Sequence, residues 1–106
     1  MNIRMQYLYR DAGNYKQWGE VIFKNQQATA PSELEKQVRS VLIDQEYFEA
    51  EKLNIPTLYF DEPISSDLDH EWHEFYSLEA CVDEPTDSKN RDIEGFLTLL
   101  KSITRN

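Results

Sequence analysis

The chain has one cysteine, three glycines and four prolines in 106 residues. A single Cys81 makes neither an intrachain disulfide nor a cysteine-only metal site, and it fits a reducing compartment. So few glycines give little support to phosphate-cradling loops. No Walker-type glycine loop, Rossmann fingerprint, G-x-S-x-G or H-E-x-x-H pattern occurs. No cofactor is therefore expected, and an enzymatic role has little to stand on. Long apolar runs are missing too. Nothing approaches the ~20 residues that span a bilayer, and residues 1–10 alternate polar and apolar instead of forming the apolar block of a signal peptide. The expectation is a cytoplasmic protein with no membrane partner.

What is present fits one compact unit. At roughly 100–150 residues per domain, residues 1–106 make a single domain with one core. The composition is 40% hydrophobic and 12% aromatic, with a formal net charge of -9. That charge is unevenly distributed. Residues 1–24 carry +2, residues 25–60 carry -3, residues 61–88 carry ten acids and no Lys or Arg, and residues 89–106 return to +2. The acidic excess is thus a local property of one 28-residue stretch.

Ile3, Met5, Tyr7 and Tyr9 recur with period two, predicting a half-buried strand. Asp11, Ala12, Gly13 and Asn14 supply a turn, and a second strand follows around 17–24, so the two should pair as a hairpin. Ser32 and Glu35 have capping-box spacing, which predicts a helix over 33–44 with Leu34, Val38, Val41 and Leu42 on one face. Tyr47, Phe48 and Leu53 should tuck into the edge of the core. Residues 55–60 read as a short strand and 61–70 as a polar loop. From Trp72 the alternation places Trp72, Glu74, Tyr76, Leu78, Ala80 and Val82 on one face, and His73, Phe75, Ser77, Glu79 and Cys81 on the other. A last helix over 91–103 carries Ile93, Phe96, Leu97, Leu100 and Ile103. The predicted fold class is α+β: a two-layer domain with an antiparallel sheet of about four strands and two helices, in the order ββαββα.

The opening Tyr-Leu-Tyr-Arg-Asp-Ala-Gly-Asn-Tyr-Lys-Gln-Trp-Gly-Glu-Val-Ile-Phe, residues 7–23, resembles the start of a group of small uncharacterised bacterial proteins. These share a Tyr-Arg-Asp-Ala-x-Asn-Tyr-Lys hairpin, and Trp72-His73-Glu74 is similar to a feature of the same group. The resemblance covers about a fifth of the chain. It implies bacterial origin and brings no activity, cofactor or catalytic residue.

Three constellations carry possible chemistry. His70 and His73, among Asp67, Asp69, Glu71 and Glu74, have the ligand types of a Zn, Ni or Fe site, and would serve a metal-dependent enzyme. Against this stand a solvated acidic loop ending in histidines, and a contact that titrates near neutrality. Tyr7, Tyr9, Tyr15 and Trp18 with Arg4, Arg10 and Lys16 suit a single-stranded nucleic acid. Yet Tyr7 and Tyr9 lie on the core parity, and the net charge opposes that partner. At the hairpin tip, Asp11, Asn14, Tyr15 and Lys16 form a polar loop suited to contact. The acidic segment, with Asp61, Glu62, Asp67, Asp69, Glu71 and Glu74, reads as a solubilising surface, a docking face for a basic protein, or an inhibitor that imitates a phosphate backbone. The leading expectation is a non-enzymatic protein–protein interaction module using that acidic face. A homodimer would follow if the 55–60 strand exposed its edge.

Overall fold

The computed structural model describes residues 1–10, 13–58 and 72–104. Its elements run β1 (Asn2–Arg10), β2 (Lys16–Phe23), α1 (Pro31–Val41), β3 (Tyr47–Phe48), a 3-10 turn (Ala50–Leu53), β4 (His73–Cys81) and α2 (Ile93–Thr104). This is an α+β fold. The four strands form one antiparallel sheet in the order β2-β1-β4-β3.

Strand β1 has the predicted alternation. Ile3, Met5, Tyr7 and Tyr9 are buried, facing Phe23, Val21, Gly19 and Gln17 across the hairpin. Buried Leu34, Val38 and Leu42 from the α1 region, and Ile93, Phe96, Leu97 and Leu100 from α2, join Ile3, Met5, Tyr7, Val21 and Phe23 in one core cluster. The start of α1 differs from expectation. Pro31 occupies the first turn, Ala30 is the N-cap, and no side chain caps the helix. Proline needs no amide partner there, so the Ser32–Glu35 box is not used. Helix α2 is capped instead by Asp92, whose Oδ1 accepts the Glu94 amide at 3.0 Å.

The third strand is not where the sequence placed it. Residues 55–58 are irregular and 59–60 lie outside the described residues, whereas Tyr47 and Phe48 pair with Glu74 and His73. Residues 56–58 instead lie across the sheet. The Tyr7 hydroxyl donates to the Pro56 carbonyl at 2.6 Å, and the Leu58 amide donates to His73 Nε2 at 2.9 Å. A Cβ on Gly19 would meet the Leu58 side chain at 2.7 Å, so the absent side chain makes room for this crossing. Burial pushes the Tyr7 hydroxyl up to about 12.

Strand β4 breaks the predicted parity. Gln6 faces Ser77 while Tyr7 faces Phe75, which leaves Tyr76 as the extra residue of a bulge. An extra residue swaps the faces, so His73 and Phe75 share the inward side with Leu78 and Ala80. Glu74, Glu79 and Cys81 share the outer side, opposite Leu8, Arg4 and Asn2.

Candidate interaction face

The outer side of the sheet gathers the chain's opposite charges. Arg4 projects there from β1 and meets three carboxylates: Glu20 at 3.2 Å, Glu79 at 2.9 Å, and Asp83. Glu20 and Glu79 are about half exposed and Asp83 slightly more. One guanidinium among three carboxylates leaves a surplus of negative charge on an open surface. Tyr76, turned outward by the bulge, is 55% exposed and stacks edge-on against Trp18 with ring centroids 5.0 Å apart.

At the hairpin end of this face, Arg10 is the hub. Its Nε and Nη2 donate to the two oxygens of Glu74 at 2.8 and 3.3 Å, and its Nη1 donates to Asn14 Oδ1 at 2.6 Å. Glu74 is buried, so Arg10 supplies hydrogen-bond donors that water cannot reach to give. Asn14 adopts φ 68°, which an Asn side chain tolerates better than most. Two predicted contact residues, Asn14 and Glu74, are thus joined through Arg10, which the sequence placed in the aromatic-basic hairpin set and not among the protein-contact residues. Arg10 shares the outward parity of Arg4, and that was its signal. Tyr15, 71% exposed, and Lys16, also exposed, follow Asn14 in the chain.

A third arginine meets the acidic segment inside the protein. Arg91 Nε and Nη2 donate to both oxygens of Asp87 at 2.8 Å each, its amide donates to Asp87 Oδ2 at 2.9 Å, and its Nη1 donates to the Leu53 carbonyl at 2.8 Å. The guanidinium also lies over the rings of Phe23 and Phe96 at 5.7 and 5.3 Å. Burial alone would raise the Asp87 pKa, but the Arg91 hydrogen bonds and charge outweigh it and hold this carboxyl below its usual value.

His73 lies inside the core. It is fully buried, among Tyr7, Tyr9 and Phe48 at ring distances of 6.0, 5.3 and 6.0 Å. With Nε2 accepting from Leu58, the neutral ring carries its proton on Nδ1. An ion would have to displace that amide to reach the Nε2 lone pair. Among the described residues, no group of three or more His, Cys, Asp and Glu side chains is placed to hold a metal. Cys81 is a buried free thiol, as its small apolar character suggests. The predicted contact residues Asp11, Asp61, Glu62, Asp67, Asp69 and Glu71, and the candidate ligand His70, lie outside the described residues.

A groove of about 490 Å³ runs beside α1, lined by Pro31, Ser32, Glu35, Lys36, Arg39 and Leu78. Its walls carry both signs of charge, with Arg39 Nε on Glu35 at 3.3 Å. Among the described residues, no helix is long and apolar enough to cross a membrane. Comparison with protein-family models, with curated proteins and with solved structures finds no match.

Proposed function

We propose that this chain is a small, cytoplasmic, non-enzymatic module that binds a basic protein through the outer side of its sheet. In this reading the ββαββα order gives two layers, with the helices over the inward face and the outer face free for contact. The observation that carries it is the Arg4 cluster, three carboxylates sharing one cation, on the same side of the sheet as the exposed Tyr76 ring. A partner's Lys or Arg would gain from both, since carboxylates pair with it and an aromatic face attracts it. Asp61, Glu62, Asp67, Asp69 and Glu71 precede β4 in sequence and have the same sign, so they would extend the attraction.

Affinity capture from the native cell with identification by mass spectrometry tests this reading. Two variants are compared with the unaltered chain: Tyr76→Ser/Glu79→Gln/Asp83→Asn, and Asp67→Asn/Asp69→Asn/Glu71→Gln. The expected result is loss of the captured proteins with the first variant and weaker, more salt-sensitive capture with the second. An unchanged set of captured proteins with both variants, at low and moderate salt, would remove the proposal.

A further inference from the structure

Strand β2 lies at an edge of the sheet, bonded on one side to β1. Alternate residues of such a strand point their amide and carbonyl groups inward to the neighbour and outward to solvent. Ile22 shows which set points outward. Its amide donates to Thr86 Oγ1 at 2.9 Å, and its carbonyl accepts from the amides of Thr86 and Asp87 at 2.9 and 3.3 Å. Lys24 continues the pattern, donating to the Arg91 carbonyl at 3.3 Å and accepting from the Ile93 amide at 2.8 Å. Two residues at a time in the other direction, Glu20, Trp18 and Lys16 turn the same groups outward. Among the described residues, nothing bonds to those three on that side. Among the described residues, the edge is therefore closed at one end by the fold and open over 16–20.

We propose that this open stretch pairs with the same stretch of a second copy, antiparallel and two-fold symmetric about Trp18. The charge pattern is self-complementary in that register alone. Lys16 falls opposite Glu20 of the second copy, Glu20 opposite its Lys16, and Trp18 opposite its Trp18. Because all three residues point their backbone groups outward, each facing pair exchanges both of its N–H···O bonds. A slide of two residues one way sets Lys16 against Ile22, whose outward groups Thr86 already holds. The opposite slide sets Glu20 against Asn14, where φ 68° has already turned the chain out of the strand. Lysine on an edge strand discourages indiscriminate pairing, and here its counter-charge stands in the same strand. Trp18, 52% exposed, would be covered on the outer face. The contact shares Trp18 and Glu20 with the outer face described above, whereas Tyr76, Glu79 and Asp83 of the β4 side take no part in it, so the Tyr76→Ser/Glu79→Gln/Asp83→Asn variant tests the binding face without altering residues 16–20.

Sedimentation equilibrium over about 5–200 µM tests the pairing, since a dimer's mass is concentration-dependent. The expected mass tends to twice 12.6 kDa. Lys16→Glu replaces both opposite-charge pairs by like-charge pairs and should weaken dimerisation by about tenfold or more. Lys16→Glu/Glu20→Lys restores the pairing and should return the affinity to near that of the unaltered chain. Trp18→Pro removes an amide that the single chain does not use, so it should abolish the dimer with the circular dichroism spectrum retained. A monomer throughout, a dimer indifferent to Lys16→Glu, or a double variant as weak as the single one would each overturn the proposal.

Discussion

Arg91 and Arg4 both pair with acids of the same segment, and their surroundings set them apart. Arg91 is 14% exposed and grips one carboxylate, Asp87, whose side chain is 1% exposed. Arg4 meets three carboxylates that are each half or more exposed. Counting partners would rank Arg4 as the stronger anchor. Burial reverses the ranking, because a buried charge that loses its partner cannot recover its hydration, while exposed carboxylates remain in water. Among the described residues, the segment's acids thus divide into Asp87, which holds the fold together, and Glu79 and Asp83, which face outward. Arg91, near the C-terminal end, serves the first, and Arg4, near the N-terminal end, the second.

Breaking the buried pair should have the largest effect. Arg91→Ala strands Asp87, leaves the Leu53 and Asn54 carbonyls without their guanidinium donor and uncovers the rings of Phe23 and Phe96, for a loss of about 3–5 kcal/mol in urea unfolding. The same pair has a pH signature. Asp87 is held below its usual value in the folded chain, so its contribution is present above the unfolded carboxyl value of about 3.9 and is lost as pH falls through the lowered one. The stability difference between the unaltered chain and Asp87→Asn should therefore be constant from about pH 7 to pH 5 and shrink below about pH 4. Arg10→Ala comes next. Glu74 is buried while Arg10 is 37% exposed, so solvent screening reduces the effect to about 1–2 kcal/mol. Arg4→Gln should leave the unfolding midpoint unchanged within error. It should strengthen capture of a basic partner, because it adds to the negative surplus. A clear stability loss for Arg4→Gln would blur the division.

The sequence displays much of the fold. The period-two apolar positions of β1 and the helical stripe of α2 identify the elements and the inward side chains, because each pattern is set by one element alone. Strand β3 is less visible. Asp44 and Gln45, at φ 52° and 60°, make a tight turn into Tyr47–Phe48 without the Asn-Gly or Asp-Gly signal that such turns usually carry. The inversion of β4 at Tyr76 has no local mark either, since a bulge is a relation between two strands. The Arg10–Glu74 and Arg4–Glu79 pairs join residues 64 and 75 positions apart. The charge segments give no sign of these intrachain pairs, because the strand register decides which partners meet.

The division of the acidic segment by burial is tested most directly by double-mutant cycles on Arg91–Asp87 and Arg4–Glu79, measured side by side in urea. The predicted result is a coupling for Arg91–Asp87 several-fold larger than that for Arg4–Glu79. Equal couplings, or a larger one for the exposed pair, would contradict it.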